Sequence, residues 1–409
     1  MRTGTCRACG TLLEHTFVDL GLSPLANSYV PAERMRSGEM FFPLHAYVCE
    51  TCFLVQLEEF ESPEHIFSDY AYFSSYSASW LRHAEAYANT MSKRFSLSDA
   101  SKVVEIASND GYLLQYFVRQ GVPVLGIEPA ANVAKVAVEN GVATEVAFFG
   151  EETAKRMLAA GHAADLMAAN NVLAHVPDIL DFVSGFRVLL KPEGAATIEF
   201  PHLLRMIERL QFDTIYHEHF SYLSLGAVEY VLRKNGLRAF DVEELATHGG
   251  SLRVFICHEA SAQQTQPAVA RVLAEEKAAG LTSLEGYKGF AKKAIDIKCG
   301  ALEFLIEARR LSKKVAGYGA AAKGNTFLNY CGIGPEFLTA VADRSPHKQN
   351  TLLPGSRIPV VSPEQLLASK PDYVLILPWN LKDEIASELA ELRNWGGKFV
   401  TAIPELKVF

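Results

Sequence analysis

The chain has 409 residues, of which 49% are hydrophobic and 21% charged, and its formal net charge is -8 at pH 7. This length exceeds the size at which single hydrophobic cores usually stop growing, so two or three domains are expected, and the balanced composition excludes a disordered chain. The acidic balance opposes nucleic acid or an anionic membrane as a partner, which leaves a small-molecule ligand.

The start of the chain and its cysteines indicate a compartment. The first residues run into polar Arg2 and Thr3 without the apolar stretch of a signal peptide, and no apolar run reaches membrane-spanning length. Four cysteines form two Cys-x-x-Cys pairs, while Cys257, Cys299 and Cys331 are scattered, which fits a reducing compartment better than a disulfide framework. We expect a cytoplasmic protein; the oligomeric state stays open, and a monomer is compatible with the sequence.

Residues 1–72 have short, irregular patterning around the two cysteine pairs. Four thiolates can surround one tetrahedral Zn2+, and a loop-rich segment with little core needs such a staple. Since four thiolates leave no open coordination position, the metal is expected to be structural; redox pairs or unliganded thiols are the alternatives. The predicted zinc ligands of this first domain are Cys6, Cys9, Cys49 and Cys52.

Residues 73–300 predict a second domain in which strands alternate with helices. The predicted elements are an amphipathic helix over 80–95, a strand at Val103–Ile106, a helix after Gly111, strands at Val124–Ile127, 165–169 and 195–200, and a helix over 181–190. This alternation predicts a parallel, doubly wound α/β sheet. Helical patterning over 265–312 then predicts a connector.

A strand, a turn and a helix around residues 103–111 predict the edge at which an open α/β sheet binds adenosyl ligands. The usual glycine-rich loop lacks two of its glycines, with Ala107 standing where the first would be, so a turn without a ligand is the alternative. Glu128 lies 23 residues after Glu105, where a carboxylate can accept hydrogen bonds from both ribose hydroxyls. The predicted cofactor residues are Glu105, Ala107, Ser108, Asn109, Asp110, Gly111, Glu128, Pro129, Asn170 and Asn171. With residues 170–178 and 189–194, the ordered series resembles class I methyltransferases rather than NAD-dependent dehydrogenases.

Four consecutive titratable side chains run from Tyr216 to His219. On a helix Tyr216 and His219 would share a face, and in an extended loop Glu218 and His219 would point apart. Removing a proton next to a ketone needs a base near neutrality and a donor for the enolate oxygen, for which histidine and tyrosine are suited. Metal ligation and a solvated polar loop are the alternatives.

Residues 248–253 offer a flexible backbone, a hydroxyl and a guanidinium, which suit a sugar or a diphosphate, although a Gly-Gly turn into a strand explains them nearly as well. Residues 301–409 predict a smaller α/β domain of the nucleotide-binding type. Its predicted strands are Val315–Tyr318, 338–342, 373–377 and 398–403. The turn and helix start at 317–326 combine close-approach glycines with Lys323, which suits a phosphate, and residues 343–350 add positive charge. A Rossmann turn that has lost its ligand is the alternative for either segment.

Seven motifs spread over all three predicted domains carry a family resemblance. They are the cysteine quartet, 19–21 with 24–27, 72–77, 108–111, 216–219, 248–251, and 317–320 with Lys323. Together they resemble the nucleotide-sugar C-3 methyltransferases of deoxysugar biosynthesis, which make branched sugars. The resemblance implies that the middle domain binds S-adenosylmethionine and that the C-terminal domain helps to hold a nucleoside diphosphate.

The resemblance also implies roles for residues by their positions. His219 is expected as the base, Tyr216 as its partner or alternative, and Glu218 and His175 as nearby groups. A tyrosine of residues 70–76 is expected to close over the sugar. The expected substrate contacts are Tyr72, Tyr76, Tyr222, His248, Gly249, Ser251, Arg253, Gly319, Lys323, Asn325, Arg344 and Lys348.

The resulting hypothesis is methyl transfer from S-adenosylmethionine to C-3 of a nucleotide-linked 4-keto-deoxysugar. The ketone acidifies the hydrogen on C-3, a histidine with an ordinary pKa of about 6.5 removes it, and the enolate carbon takes the methyl group. An NAD-dependent sugar-nucleotide oxidoreductase or epimerase is the first alternative, opposed by the lack of a full G-x-G-x-x-G motif with a downstream acidic residue. A zinc-ribbon binding module is the second, and the acidic balance opposes its nucleic-acid version.

Overall fold

The computed structural model describes residues 4–62, 73–76 and 78–409. Tyr72 and the side chain of Tyr76 lie outside this description, so their expected contact with the substrate stays a prediction. In the part of the chain that is described, no helix is long and apolar enough to cross a membrane.

The strands of the described residues are numbered in chain order. They are β1 (His15–Ser23), β2 (Val30–Pro31), β3 (Phe42–Val48), β4 (Val55–Leu57), β5 (Val103–Ile106), β6 (Val124–Ile127), β7 (Thr144–Glu145), β8 (Ala164–Asn170), β9 (Leu190–Pro201), β10 (Ser221–Tyr222), β11 (Leu237–Leu245), β12 (Ser251–His258), β13 (Val315–Tyr318), β14 (Val341–Ala342), β15 (Thr351–Leu352), β16 (Val360–Val361), β17 (Tyr373–Ile376), β18 (Lys398–Thr401) and β19 (Lys407–Val408).

The α-helices of the same residues are numbered likewise. They are α1 (Ala78–Arg94), α2 (Leu114–Arg119), α3 (Ala131–Glu139), α4 (Glu151–Ala159), α5 (Ile179–Leu189), α6 (Leu203–Glu208), α7 (Leu225–Lys234), α8 (Pro267–Ala278), α9 (Phe290–Arg310), α10 (Ala322–Cys331), α11 (Pro363–Ala368) and α12 (Lys382–Glu388).

These elements form two compact units, each assembled from separate chain segments. The first unit contains the described residues of Met1–Glu14, Val48–Leu204 and Phe220–Gly286. The second contains His15–Tyr47, Arg205–His219 and Tyr287–Phe409. The division at residues 72 and 300 expected from the sequence stays a prediction.

A seven-stranded sheet with the order β11-β12-β9-β8-β5-β6-β7 forms the first unit. Its strands from β9 to β7 are parallel. Every residue of β5 and β6 is buried, as expected for central parallel strands covered on both faces. The predicted strands Val103–Ile106 and Val124–Ile127 are confirmed with their bounds, and α5 confirms the helix predicted over 181–190.

The sheet is mixed rather than wholly parallel, so the sequence-based prediction was wrong at this edge. Strand β12 runs antiparallel to β9, and β11 runs antiparallel to β12. A short connection can join only antiparallel neighbours, whereas a parallel crossover needs a dozen or more residues. The five residues between β11 and β12 therefore dictate a hairpin.

Helix α1 covers one face of this sheet with an apolar stripe. Tyr87, Ala88 and Met91 are at most 2% exposed and belong to one core cluster with Phe117 of α2 and Val103 of β5. Full burial of an apolar side chain contributes about 1.5–3 kcal/mol, so this cluster stabilises the packing of α1 and α2 against the sheet.

A six-stranded sheet with the order β16-β14-β13-β17-β18-β19 forms the core of the second unit. All its pairings are parallel except that of β19 with β18. Strand Val315–Tyr318 is confirmed with its bounds, while the strand predicted at 338–342 is shorter and forms only at Val341–Ala342. The N-terminal segment contributes β1 and β3, which lie side by side, and β2, which pairs with β15. The predicted fold class is confirmed: a Rossmann-like α/β domain combined with a zinc-binding region and a smaller C-terminal α/β region.

Candidate active site

The four predicted zinc ligands converge on one point in the first unit. All four Sγ atoms lie within 4.8 Å of one another. Sγ of Cys6 lies 3.5 Å from Sγ of Cys52, and Sγ of Cys9 lies 3.4 Å from Sγ of Cys49. Zinc–sulfur bonds of roughly 2.3 Å in a tetrahedron place sulfur atoms roughly 3.8 Å apart, so the quartet fits Zn2+.

Both cysteine pairs lie on knuckle turns of the same design. The Gly10 amide donates to the Cys6 carbonyl, and the Phe53 amide donates to the Cys49 carbonyl. The residue after each pair has a positive φ, 79° at Gly10 and 56° at Phe53. Glycine adopts this left-handed conformation freely, whereas an aromatic residue there gives no signal in the sequence.

The turn after β5 has left-handed backbone at alternate residues. The φ angles are 53° at Ala107, 49° at Asn109 and 79° at Gly111. A Cβ at Gly111 would lie 2.9 Å from Cγ2 of Val142, so only glycine fits there. Ala107 occupies a conformation that glycine adopts freely, which explains physically why a glycine was expected at this position.

Glu128 lies at the end of β6 beside this turn. Its two carboxylate oxygens accept the amides of Asn109 and Ala130, each at 2.9 Å. Burial raises the pKa of Glu128, and the two amide bonds oppose that rise. A carboxylate has about four acceptor sites, so two remain for ribose hydroxyls, and the residue fits the role expected of it.

Two more of the predicted cofactor residues, Glu105 and Asn170, lie near Tyr112. Burial raises the pKa of Glu105 well above its ordinary value, the nearby Glu128 and Asp110 charges add to the rise, and the Tyr112 hydroxyl opposes it. The side-chain amide of Asn170 donates to that same hydroxyl at 3.4 Å. The turn, Glu128 and this buried group thus meet at the carboxyl edge of the parallel strands, where an adenosyl ligand fits.

The structure also defines the surroundings of the other predicted cofactor residues. Ser108 lies against β6, because a Cβ at Gly126 would clash with its Oγ. Pro129 is half-buried directly after Glu128. The Asn171 amide donates to the Glu199 carbonyl at 2.7 Å, after the end of β8.

Two serines that the sequence analysis did not single out hold the cofactor turn. The Ser74 amide donates to Oδ1 of Asn109 at 2.8 Å. The Ser75 amide donates to Oδ2 of Asp110 at 3.1 Å, and its hydroxyl donates to the same oxygen. Residues 72–77 were among the motifs of the family resemblance, but only tyrosines were given a role there, and no local pattern signals a contact across 35 residues.

Arg253 lies in a buried ion-pair network. Its guanidinium pairs with Glu199 at 3.0 Å and with Glu243 at 2.8 Å. Burial acts against the charge of Glu199, but the bonds from His83 and Arg253 hold the pKa of that carboxyl below its ordinary value. This predicted substrate residue is therefore engaged by protein carboxylates.

The other residues of the 248–253 motif form the turn before β12. His248 has a φ of 53°, and its ring packs edge-on to Trp80 at 5.8 Å. Gly249 ends the short 3-10 helix that contains His248, and the Ser251 hydroxyl donates to the Thr247 carbonyl at 3.0 Å. The Gly-Gly turn into a strand is thus present.

The densest predicted constellation is a tight turn in the second unit, neither a helix nor an extended loop. The His219 amide donates to the Tyr216 carbonyl at 2.8 Å. The Tyr216 hydroxyl and His219 Nε2 lie 2.8 Å apart, with the ring centroids 4.0 Å apart. His219 Nδ1 lies 2.9 Å from the Thr214 carbonyl, which can only accept. Nδ1 therefore carries a proton, and whenever the ring is neutral Nε2 is its acceptor.

The two residues between them have separate partners. Glu218 is 5% exposed, and burial raises its pKa to about 7, while the bond from Asn27 at 2.7 Å acts against that rise. His217 Nε2 lies 3.2 Å from the Pro43 carbonyl, and burial lowers the pKa of His217. Among the described residues the cysteine quartet is the only group of this kind placed to hold a metal, which disfavours metal ligation by the turn.

Helix α10 fixes the chain that leads into this turn. The Thr326 hydroxyl donates to the Ile215 carbonyl at 2.9 Å, and the side-chain amide of Asn325 donates to the Ala26 carbonyl at 2.6 Å. The Trp379 indole donates to Asp213 at 2.8 Å. Burial raises the pKa of Asp213 to about 6, and Lys323 opposes this. Asn325, a predicted substrate residue, is thus 1% exposed and bonded to the N-terminal segment.

The glycine turn after β13 is closely packed. Gly319 has a φ of 91°, and a Cβ there would clash with the ring of Pro378. Lys323 Nζ donates to Asn380 at 2.9 Å and lies 5.0 Å from the centre of the Trp379 ring. Burial lowers the pKa of Lys323, while Asp213 opposes this.

The remaining predicted cations of the second unit have protein partners. Arg344 pairs with Glu388. Lys348 donates to the Ala320 carbonyl at 2.8 Å and lies 3.7 Å from Asp343. Of the predicted cations, Lys323 lies nearest in sequence to the glycine turn.

His175 and Tyr222 belong to the first unit, whereas Tyr216, Glu218 and His219 belong to the second. His175 ends a 3-10 helix, Leu173–His175, that follows β8, and Tyr222 lies in β10. Strand β10 pairs with β4, the strand that follows the second cysteine pair. The predicted catalytic residues are thus divided between the two units.

Three family models match successive parts of the chain. They are described as "Putative zinc binding domain" over residues 6–67, "Methyltransferase domain" over 80–242 and "C-methyltransferase C-terminal domain" over 246–404. The first covers the cysteine quartet and the second covers the cofactor turn.

Individual relatives agree with these matches. The chain is 38% identical over 403 residues to the C-methyltransferase NovU of Streptomyces niveus, covering 98% of this chain and 96% of that protein. It is 30% identical over 97 residues to the ubiquinone biosynthesis O-methyltransferase of Bartonella bacilliformis, 23% of this chain and 38% of that protein.

Among solved structures, it is similar to the magnesium protoporphyrin IX methyltransferase of Synechocystis PCC 6803 with bound SAM, at 12% identity, covering 44% of this chain and 79% of that one with a TM-score of 0.34. It is also similar to a SAM-dependent methyltransferase of Aquifex aeolicus, at 16% identity over 41% of this chain and 88% of that one, with a TM-score of 0.31.

The fold and the family matches define a class I methyltransferase that uses S-adenosylmethionine and carries a zinc-binding region. The near full-length similarity shows that the chain belongs to the C-methyltransferase family. The oxidoreductase and zinc-ribbon alternatives are not favoured by these matches.

Proposed function

We propose that the methyl acceptor is C-3 of a nucleotide-linked 4-keto-deoxysugar. Methylation at carbon needs a carbon nucleophile, which forms most readily by removing a proton next to a ketone. The observation that carries this proposal is the bond between Tyr216 and His219, since it places an imidazole nitrogen 2.8 Å from a phenol hydroxyl. The family resemblance of the sequence motifs supports the sugar as substrate class.

His219 acts as the base in this proposal. The Thr214 carbonyl holds the Nδ1 proton, so Nε2 receives the C-3 proton, directly or through the Tyr216 hydroxyl. A donor to the enolate oxygen, a role open to Tyr216, contributes about 3–4 kcal/mol to lowering the barrier. When bound, S-adenosylmethionine supplies an electrophilic methyl group to the enolate carbon.

The cofactor is assigned to the turn after β5. Glu128 would accept from the ribose hydroxyls, and the turn residues Ala107, Ser108, Asn109, Asp110 and Gly111 would surround the ligand, with Glu105, Pro129, Asn170 and Asn171 beside it. The positive φ angles of that turn and its bonds to Ser74 and Ser75 support the assignment.

The sugar and its diphosphate are assigned to the remaining predicted residues. The residues proposed near the sugar are Glu218, His175, Tyr72, Tyr76, Tyr222, His248, Gly249 and Ser251. Lys323 and the Gly319 turn are proposed for the diphosphate. Four predicted substrate residues would contact the substrate only by exchanging the protein partners described above: Arg253, Asn325, Arg344 and Lys348. The three predicted domains, 1–72, 73–300 and 301–409, would carry the zinc, the methyl donor and the nucleotide, in a cytoplasmic enzyme.

The test combines carbon labelling with a deprotonation assay. Purified enzyme is incubated with a panel of 4-keto nucleotide sugars and methyl-13C S-adenosylmethionine, and NMR locates the label. A label on C-3 supports the proposal, and a label found on oxygen or nitrogen with every sugar contradicts it.

Deprotonation is followed separately by deuterium uptake at C-3 in heavy water, with S-adenosylhomocysteine in place of the donor. His219→Asn should lose both uptake and turnover while the dissociation constant of S-adenosylmethionine changes by less than about two-fold. His217→Asn is the matched control, because His217 lies in the same turn but bonds to the Pro43 carbonyl. Uptake at the wild-type rate in His219→Asn removes His219 from the role.

A further inference from the structure

We propose that Arg7 is a positioning residue that ties the zinc site to the loop carrying His175. Arg7 lies between the two cysteines of the first knuckle. Its Nη1 donates to the Pro177 carbonyl at 2.9 Å, and its Nη2 donates to the Leu57 carbonyl. The inference rests on the proposed function in so far as His175 and His219 serve the reaction.

The zinc ligands determine the backbone position from which the Arg7 side chain extends. The Arg7 amide donates to Oε1 of Gln56 at 3.0 Å, and Nε2 of the same Gln56 donates to Sγ of Cys6 at 3.2 Å. Lys234 Nζ donates to the Ala8 carbonyl at 3.1 Å. Gln56 therefore links the Arg7 backbone to the zinc ligand Cys6, so the direction of the Arg7 side chain depends on the closed quartet.

The far end of Arg7 contacts the chain just after His175 and the ring of Phe220. Pro177 lies two residues after His175, and its ring nitrogen has no hydrogen to donate. The guanidinium also lies 5.4 Å from the centre of the Phe220 ring, and Phe220 directly follows His219 in the chain. The Leu57 amide in turn donates to the Phe220 carbonyl at 3.0 Å.

Arginine suits this place for a geometric reason. Its planar fork offers donors in fixed directions, so one side chain bonds two carbonyls from different segments at once. A lysine has a single charged nitrogen at the end of a flexible stem and cannot reproduce both directions. Zinc binding thereby becomes part of aligning His175, in addition to stabilising the N-terminal region.

The experiment compares Arg7→Met and Arg7→Lys with Lys234→Met in the full-length, zinc-loaded enzyme. Lys234 is the matched control, because it bonds to the same knuckle without contacting Pro177. The measurements are the zinc content, amide hydrogen exchange of residues 171–178, the dissociation constant of S-adenosylmethionine, and kcat and KM for the sugar that wild type methylates.

We expect Arg7→Met to keep its zinc, to exchange amides of 171–178 about ten-fold faster, and to lose about ten-fold or more in kcat with KM and cofactor affinity within about two-fold. Arg7→Lys should give exchange rates and kcat between those of Arg7→Met and wild type. It replaces Arg7→Met as the test variant if Arg7→Met does not fold. Lys234→Met should match wild type. Unchanged exchange and kcat in a zinc-loaded Arg7 variant overturn the proposal, as does a kcat loss that only follows zinc loss. Hydrogen exchange does not depend on the substrate, so failure of the proposed sugar chemistry remains distinguishable.

Discussion

Replacing Glu218 by glutamine should remove a pH dependence of stability that this buried carboxyl creates. Glu218 is 5% exposed, and burial raises its pKa from 4.5 to about 7. In the unfolded chain the carboxyl releases its proton near pH 4.5, whereas the folded chain keeps it up to about pH 7. Between these values the unfolded state binds fewer protons, so the free energy of unfolding falls as the pH rises.

The size of the effect follows from that interval. Between pH 5 and pH 8, Glu218 alone should lower the free energy of unfolding of wild type by roughly 2.5 kcal/mol. Glutamine is neutral at every pH, and its amide oxygen can accept the bond from Asn27 that now goes to the carboxylate. Glu218→Gln should therefore lose less stability than wild type between pH 5 and pH 8, by about that amount.

Urea unfolding of the zinc-loaded enzyme at both pH values measures this difference. Glu33→Gln serves as the control, because Glu33 is exposed and its replacement should leave the pH dependence of wild type intact. Asn27→Leu should steepen the fall in stability, since it removes the bond that favours the charged carboxylate. Equal pH dependence in wild type and Glu218→Gln would refute the reasoning.

Three further predictions concern the turns and the zinc. Cys49→Ser should bind less than one zinc per chain by atomic absorption and unfold at a lower temperature, and full zinc occupancy would contradict the quartet. Gly319→Ala should destabilise the fold by about 2–5 kcal/mol in urea unfolding, because its Cβ would meet Pro378 at a positive φ; a change below about 0.5 kcal/mol would contradict the packing. Ala107→Val should cost about 1–2 kcal/mol and weaken cofactor binding by calorimetry, while Ala107→Gly should do neither, and equal behaviour of the two would contradict the left-handed turn.

Local sequence patterns predicted much of the fold. The strands at Val103–Ile106, Val124–Ile127 and Val315–Tyr318 were found with their bounds, because each is a short apolar run between turn residues. The hairpin β11–β12 was not assigned to the sheet, although β11 has the alternating burial of an edge strand. The strand–helix alternation before it favoured parallel pairing, and the short connection decided otherwise.

The candidate site was predictable where its contacts are local. The Cys-x-x-Cys spacing led to the quartet, and the three-residue spacing of Tyr216 and His219 suggested their contact. Contacts between distant segments had no such signal. Asn27 and Glu218 lie 191 residues apart, and only the folded chain brings the amide to the carboxylate. The partners of a charged side chain are equally hard to predict. The sequence shows that Arg253 is charged, but it does not show which two carboxylates bind it.

The alternation of the two units along the chain has a consequence for biosynthesis. The first unit ends with Gly286, and the second needs both His15–Tyr47 and Phe409. Ribosomes add about 5–20 residues per second, and domains usually complete folding in the order of their synthesis. The second unit therefore cannot form around β1 until Tyr287–Phe409 has been synthesised, so a chaperone that shields residues 15–47 during translation should raise the yield of active enzyme.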